Sequence, residues 1–290
     1  SLQRENFNFV MKRIYSSHWS DYELIDAGNE KKLERWGEII TIRPDRNAYF
    51  SPIQSLKDWK EKAHFEFVEE TSSKGTWNTL KKGTPKEWQI SYKNCIFNIR
   101  LTQFKHLGIF PEQQINWDFI KSNLKPNSKF LNLFAYTGGA SLIANSAKAD
   151  VFHCDSVKQV ITWSKENMES SHQENIHWVF DDALKFATKE VKRGKKYDGI
   201  IMDPPAFGLG AKKERWKIET KFPDLVKVAS QLLSPSGFLI INTYSPKLKE
   251  DKIYEIVKSY FPNKKIEVNK LSLKTSTGKT LEYGELTRVY

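Results

Sequence analysis

Glycine and acidic residues directly follow several short apolar runs in this sequence. Gly138 and Gly139 follow one run, Asp155 ends the next, Asp182 comes after a third, and Asp203 begins an Asp-Pro-Pro-Ala-Phe sequence after a fourth. A glycine turn lets a ligand approach the backbone, since no side chain intervenes. A carboxylate about 20 residues further along can accept two hydrogen bonds from a ribose diol, as in dinucleotide sites. The spacing therefore predicts a site for a nucleoside-containing ligand.

Two of these signals also have a purely structural interpretation. A Gly-Gly pair can serve only as a turn. Asp182 can cap the helix that follows it, a role that is compatible with ligand binding. The order of all the groups along the chain is what favours a site.

The spacing of apolar residues predicts the elements that position these groups. Amphipathic helical patterns alternate with apolar runs, which is typical of βαβ units on a parallel sheet. Ligands bind beyond the carboxyl ends of such strands, where the strand order reverses. We therefore expect an α/β, doubly wound, Rossmann-like fold. Strands are predicted over Phe130–Phe134, Val151–Cys154, Ile176–Phe180, Gly199–Met202 and Phe238–Thr243, with two more between Ile266 and Tyr290.

The first third of the chain has a different pattern. Short alternating runs such as Glu38–Arg43, Glu87–Tyr92 and Cys95–Leu101 are separated by turn signals, which predicts hairpins. We therefore expect a small, mixed, β-rich N-terminal domain over residues 1–103 and the α/β domain over residues 104–290.

Composition limits the possible classes of protein. The chain has 290 residues, of which 39% are hydrophobic and 28% charged, an ordinary globular composition that excludes collagen-like and disordered classes. No apolar run approaches the length of a membrane helix, so we expect a soluble protein. The net charge of +11 favours a polyanionic partner, although solubility alone would also explain it.

The two cysteines, Cys95 and Cys154, lie far apart in the sequence and form no CxxC pair. No clustered histidines accompany them, so neither a metal site nor a disulfide framework is expected. The chain is therefore expected to be cytoplasmic.

Three motifs resemble those of class I S-adenosylmethionine-dependent methyltransferases. They are Asn132–Gly139, which reads Asn-Leu-Phe-Ala-Tyr-Thr-Gly-Gly, Asp203–Phe207, and the preceding Gly108–Gln113. The similarity covers roughly residues 104–290 and is to the branch that holds large-subunit ribosomal RNA methyltransferases. It implies a Rossmann-like sheet and S-adenosylmethionine as the cofactor. Asn132 and Tyr136 stand where many class I enzymes have an acid and a glycine, a change that this branch commonly shares.

The resemblance also implies which residues bind the cofactor. The loop 135–139 would hold the methionine portion and Asp155 the ribose hydroxyls, while Asp182 would meet the adenine amino group. The implied cofactor-binding residues are Phe110, Gln113, Ala135, Tyr136, Thr137, Gly138, Gly139, Asp155, Ser156, Asp182 and Ala183.

The Asp-Pro-Pro-Ala-Phe motif is the predicted catalytic segment. Asp203 and the Pro204 carbonyl can accept hydrogen bonds from the N–H groups of a base, which orients a nitrogen lone pair toward the activated methyl. Phe207 would stack on that base, a contact typically worth about 1 to 3 kcal/mol. Pro205 completes a pair that removes backbone donors and stiffens the loop.

Cytosine-methylating relatives in this branch carry a Thr-Cys-Ser motif after the fifth strand, and its thiolate adds to carbon 6 of the base. Here that place reads Thr243-Tyr244-Ser245. The cysteine is absent, so we expect methylation of a base nitrogen and not of carbon 5.

A basic segment follows the catalytic motif. Lys212, Lys213 and Arg215 could clamp a phosphate backbone, with Trp216 stacking on a flipped base. Alternatively, this is the solvated start of the next helix and Trp216 only packs against it.

Together these features predict methylation of RNA, with ribosomal RNA as the expected substrate and neither a metal nor a membrane as a partner. Two alternatives remain open from the sequence. One is a protein or small-molecule acceptor, and the other is a cofactor-binding, RNA-binding module without turnover. The oligomeric state is not indicated.

Overall fold

A computed structural model describes residues 12–209 and 213–290. Short strands and one helix make up the first part of it. In chain order these elements are β1 (Lys12–Ser16), β2 (Tyr22–Gly28), β3 (Lys31–Trp36), β4 (Ile39–Pro44), α1 (Leu56–Lys62), β5 (Phe65–Glu69), β6 (Gly75–Thr79), β7 (Glu87–Tyr92) and β8 (Cys95–Arg100).

Helices and strands alternate in the remainder, which begins with a 3-10 turn over Pro111–Gln113. The elements that follow are α2 (Gln114–Asn123), β9 (Lys129–Leu133), α3 (Gly139–Ser146), β10 (Asp150–Asp155), α4 (Lys158–Ser170), β11 (His177–Phe180), α5 (Ala183–Lys192), β12 (Tyr197–Met202), β13 (Phe207–Leu209), β14 (Arg215–Lys217), α6 (Ile218–Leu232), β15 (Leu233–Thr243), α7 (Glu250–Tyr260), β16 (Ile266–Lys274) and β17 (Thr280–Val289).

An eight-stranded sheet forms the centre of the molecule, in the order β1-β16-β17-β15-β12-β9-β10-β11. Neighbouring strands run parallel, except that β17 is antiparallel to both β15 and β16. From β9 the chain continues to β10 and β11 on one side and then returns to β12 on the other side of β9. The strand order therefore reverses between β9 and β12, which creates a crevice at their carboxyl ends. The predicted Rossmann-like α/β fold is confirmed.

The central strands are apolar along their length because helices cover both faces of the sheet. Successive side chains point to opposite faces, so Phe130 packs in one core and Leu131 in the other, and Ile201 and Ile200 divide in the same way. The predicted strands all lie in this sheet, with β15 beginning at Leu233 and not at Phe238.

The N-terminal part contains the predicted hairpins. Strands β2 to β6 form a five-stranded sheet, and β7 pairs with β8. The segment Lys12–Ser16 instead joins the large sheet, where it pairs with β16. The division of the chain at residue 103 stays a prediction.

A buried ion pair lies within the five-stranded sheet. Arg43 donates to both carboxylate oxygens of Glu34, with Nε to Oε1 at 2.7 Å and Nη2 to Oε2 at 2.9 Å. The Tyr22 hydroxyl donates to Oε2 at 2.6 Å. Arg43 and Glu34 hold each other charged, because the carboxylate raises the pKa of the guanidinium and the guanidinium lowers that of the carboxyl.

A second polar cluster joins this sheet to the large one. Lys32 Nζ lies 3.2 Å from a carboxylate oxygen of Asp45 and 3.2 Å from the hydroxyl of Tyr283 on β17. Tyr283 in turn donates to Asp45 at 2.8 Å. All three groups are satisfied by one another, so the two sheets meet through a defined set of hydrogen bonds.

Glu34→Gln is expected to lower the free energy of unfolding by about 3–5 kcal/mol, because it leaves the Arg43 charge buried without its partner. Urea unfolding measures the loss. The control is Glu23→Gln, which removes a half-exposed partner of Arg35 and should cost less than about 1 kcal/mol. Equal losses for the two variants would contradict the importance of the buried pair.

Candidate active site

The loop between β9 and α3 has an unusual backbone. Phe134, Tyr136 and Gly138 have φ angles of 57°, 52° and 85°, in the left-handed region that non-glycine residues rarely adopt. Such conformations persist where the surroundings hold them and are concentrated at functional sites. Here Asn167 Nδ2 donates to the Thr137 carbonyl at 2.9 Å, and the Thr137 hydroxyl donates to the carbonyl of Gly108.

A buried histidine supports this loop from below. His153 Nδ1 lies 2.8 Å from the Ser141 hydroxyl, and Nε2 lies 3.3 Å from that of Ser164. Burial lowers the pKa of His153 to about 3, so the ring is neutral and structural. A side chain on Gly138 would lie 3.3 Å from both His153 and Ser164. Gly138 is therefore required for two reasons: its φ angle is positive, and a Cβ atom would crowd His153 and Ser164.

Asp155 ends β10 beside this loop. Its two carboxylate oxygens accept hydrogen bonds from the backbone amides of Tyr136 and Val157, both at 2.9 Å. The backbone amide of Ser156 also favours the charged form of this carboxylate. A carboxylate offers about four acceptor positions, so at least one remains for a ligand. Burial raises the pKa of Asp155.

A cavity of about 670 Å³ lies at the carboxyl ends of the strands, between the large sheet and the five-stranded sheet. A smaller cavity beneath the β9 loop shares Phe110, Phe134, Tyr136 and Asp203 with it. The predicted site residues that line one or both are Phe110, Gln113, Ala135, Tyr136, Thr137, Gly139, Asp155, Ser156, Asp203 and Pro205.

Asp182 and Ala183 stand apart from the lining of both cavities. Asp182 caps α5, accepting from the Lys185 amide at 2.9 Å, and Ala183 is buried. Asp182 is thus the helix cap, a role that is compatible with ligand binding, and its contact with the cofactor stays a prediction. Both residues still lie next to the end of β10, because the Asp181 amide donates to the carbonyl of Asp155 at 3.2 Å.

Asp203 occupies the crevice where the strand order reverses. Its amide donates to the Leu133 carbonyl at the end of β9, with a separation of 3.4 Å. The hydroxyl of Tyr244 donates to Asp203 Oδ1 at 2.5 Å. Desolvation by the surrounding residues, with a smaller contribution from Glu112, raises the pKa of Asp203 to about 7. The prediction missed Tyr244 as its partner, although Tyr244 directly follows β15 and so lies at the same edge of the sheet.

Trp216 packs against the Pro-Pro segment and fixes its position by a hydrogen bond. This indole is buried, donates to the Pro205 carbonyl at 2.8 Å and contacts the ring of Phe134. Trp216 therefore cannot stack on a flipped base, and the packing interpretation is the correct one. Phe207, at the start of the β13–β14 hairpin, has 81% of its surface exposed.

The basic residues of this segment lie on the same hairpin or next to it. Lys213 and Arg215 are exposed. Their role in substrate binding stays a prediction. Lys212 lies outside the described residues.

Both cysteines are buried. Burial raises the pKa of Cys95 to about 11 and that of Cys154 further, so neither supplies a thiolate at neutral pH. Residues 12–209 and 213–290 contain no group of three or more side chains suited to hold a metal ion. No helix within the same ranges is long and apolar enough to cross a membrane.

The strand order, the strained loop after β9, the acid after β10 and the Asp-Pro-Pro segment after β12 together define a Rossmann-like fold of the class I methyltransferase type. A sequence model of the S-adenosylmethionine-dependent methyltransferase family matches residues 68–271. The chain belongs to this family. The predicted family, fold class and cofactor are thereby confirmed.

Curated relatives and solved structures agree with this assignment. The chain is 31% identical over 151 residues to ribosomal RNA large subunit methyltransferase K/L of Pseudoalteromonas translucida, and 27% identical over 170 residues to the protein of that name from Syntrophotalea carbinolica. These matches cover 50% and 57% of this chain, but it spans only 21% and 23% of those relatives.

Among solved structures, the SAM-dependent methyltransferase from Agrobacterium tumefaciens has a TM-score of 0.90 and 32% identity, covering 97% of this chain and 93% of that one. The structure of SMU.776 in complex with SAH has a TM-score of 0.76 and 18% identity, covering 94% and 76%. The fold of the whole described chain, including its N-terminal sheet, is thus shared with another family member.

Asp203→Asn is expected to stabilise the fold more at pH 8 than at pH 5. Folding raises the pKa of Asp203 above its unfolded value, so the stability contributed by the protonated carboxyl is fully present below about pH 4 and is lost as the pH rises through about 7. The asparagine does not ionise, so its advantage grows over this interval. Urea unfolding at both pH values measures it, and an equal effect at pH 5 and pH 8 would contradict the perturbed carboxyl.

Proposed function

We propose that this chain transfers a methyl group from S-adenosylmethionine to a base nitrogen of RNA, with ribosomal RNA in the cytosol as its substrate. The observation that carries the proposal is the placement of Asp203. The half-buried Asp203 carboxylate lies beside the β9 loop at the reversal of strand order and lines both cavities. The exposed ring of Phe207 follows it on the β13–β14 hairpin.

The residues around the two cavities fit S-adenosylmethionine as the methyl donor. The Ala135–Gly139 loop would hold its methionine portion. Asp155 and Ser156 would hold the ribose hydroxyls, and Asp182 and Ala183 would meet the adenine at the neighbouring strand end. This division follows the order of the strand ends across the sheet.

Two residues from the segment before α2 would complete the cofactor site. Gln113 is buried. Its side-chain nitrogen faces the Tyr244 hydroxyl but makes no hydrogen bond of normal geometry within the described part of the chain, so a ligand carboxylate would satisfy it. The ring of Phe110 lies 4.9 Å from that of Tyr136, which gives the cavity an aromatic wall. This weakly paired amide supports a polar ligand in this space.

When bound, S-adenosylmethionine supplies a methyl group that is already activated, so the task of the protein is alignment. Tyr244 donates to one oxygen of Asp203 and leaves the other for an N–H of the acceptor base. The Pro204 carbonyl can accept a second hydrogen bond. With a pKa near 7, Asp203 can also take the proton that the nitrogen releases.

Several observations favour RNA and a nitrogen acceptor. Both thiols are buried and protonated, so the thiolate required for carbon-5 methylation is missing. The net charge is +11, and exposed Lys213 and Arg215 lie close to the exposed Phe207. A phosphate backbone and an unstacked base match this combination. The curated relatives named above are ribosomal RNA methyltransferases.

Asp155→Ala is expected to weaken cofactor binding by about tenfold or more, because it removes the acceptor for the ribose hydroxyls. Calorimetric titration with S-adenosylmethionine measures the dissociation constant. Asp224→Asn, at an exposed position on α6, is the control and should bind like the parent. Unchanged affinity in Asp155→Ala would show that the ribose lies elsewhere.

Incubation with labelled S-adenosylmethionine and transcribed large-subunit ribosomal RNA should place label in the RNA. Asp203→Asn should reduce this transfer by about 100-fold or more, since it removes the ionised acceptor, while cofactor affinity remains close to that of the parent. Nucleoside mass spectrometry identifies the product. Recovery of label only in protein or in small molecules would refute the RNA proposal, and full activity of Asp203→Asn would refute the catalytic assignment.

A further inference from the structure

Glu112 lies in the 3-10 turn before α2, at the meeting point of the two sheets. All three residues of this turn are buried, and Glu112 is only 7% exposed. The Ser16 hydroxyl of β1 donates to the backbone carbonyl of Glu112, and the backbone amide of Gln113 donates to the carbonyl of Phe110. The turn therefore has a fixed backbone, and Glu112 lines the same cavity as Asp203 and Tyr244.

The Glu112 carboxylate lacks the partners that a buried charge normally has. Among the described residues, no other residue donates a hydrogen bond to it. The nearest cations are already engaged, because Arg43 binds both oxygens of Glu34, and Lys32 binds Asp45.

Burial raises the pKa of Glu112 despite those two cations. Within the described residues, the one hydrogen bond to this carboxylate comes from its own backbone amide, and a buried carboxylate with so few donors is costly to the fold. Such a group is retained where a ligand supplies the missing donors. The cavity that Glu112 shares with Asp203 is where such a ligand would lie.

We propose that Glu112 is a second acceptor group in the acceptor-base pocket, and that Glu112 and Asp203 together select a base that carries an exocyclic amino group. This inference rests on the proposed function. An amino group presents two N–H donors, one for each carboxylate. A base with a carbonyl oxygen in that position, such as uracil, would place an acceptor against two acceptors and leave both carboxylates unpaired.

Glu112→Gln tests this assignment with little change in side-chain size. The variant should raise the KM for transcribed large-subunit ribosomal RNA by about tenfold or more, since it removes one charge-assisted hydrogen bond. The turnover number and the calorimetric affinity for S-adenosylmethionine should stay within about threefold of the parent. Its melting temperature should equal or exceed that of the parent, because a poorly solvated carboxylate is removed.

Glu255→Gln is the matched control, since Glu255 is an exposed residue of α7 that pairs with Lys252. Its KM, turnover number, cofactor affinity and melting temperature should all be unchanged. Glu112→Asp is the second variant. It keeps the charge but withdraws it from the base, so it should also raise KM, and it remains informative if Glu112→Gln folds poorly. The methylated nucleoside identified by mass spectrometry should derive from an amino-bearing base.

The outcomes separate this inference from the proposed function. If the parent protein methylates no RNA, the proposed function fails and the role of Glu112 fails with it. If the parent is active but Glu112→Gln keeps its KM and melts at a lower temperature, Glu112 is a structural partner of Lys32 and Arg43. That result, or a methylated uridine as the product, would overturn the inference while leaving the proposed function intact.

Discussion

The hydrogen bond between Tyr244 and Asp203 is the interaction around which the rest of the site is arranged. It joins the ends of β15 and β12, and the amide of Asp203 joins them to β9. The surroundings that desolvate this carboxylate also raise its pKa to about 7, where it can accept a hydrogen bond or a proton at physiological pH. Trp216 holds the following Pro205 from behind. The reversal of strand order creates the crevice. The hydrogen bonds made by Tyr244, Trp216 and the Asp203 amide hold the Asp203 carboxylate in it.

The five-stranded sheet completes the cavity that this carboxylate faces. Lys32, Arg43 and Asp45 line it opposite the large sheet, and their charges are paired within a buried network that ends on Tyr283. Because the cations are occupied, they fix the wall of the cavity without neutralising Glu112. The N-terminal sheet thus contributes one wall of the cavity with its charges paired, and the large sheet contributes Asp203 and Tyr244.

The sequence predicted well those features that depend on local periodicity, and less well those that depend on distant pairing. Apolar runs located the central strands, and the rule that ligands bind at their carboxyl ends located Asp155 and Asp203. The pairing of β1 with β16 joins opposite ends of the chain, and nothing in five residues of mixed polarity signals it. Trp216 had two possible environments, and only its burial decides between them. Glu112 lies in a turn without sequence periodicity. Within the described residues, its carboxylate can be recognised as unpaired only from the structure, where Arg43 and Lys32 pair with Glu34 and Asp45 instead.

The pH dependence of kcat/KM with ribosomal RNA, measured for the parent and for Tyr244→Phe, tests the central role of Asp203 most directly. The proposed mechanism requires the ionised carboxylate, so the parent should show activity rising with pH through a midpoint near 7. The phenol holds that pKa down, so its removal should move the midpoint to higher pH. A profile that is flat across neutral pH, or a midpoint that Tyr244→Phe leaves in place, would contradict the account.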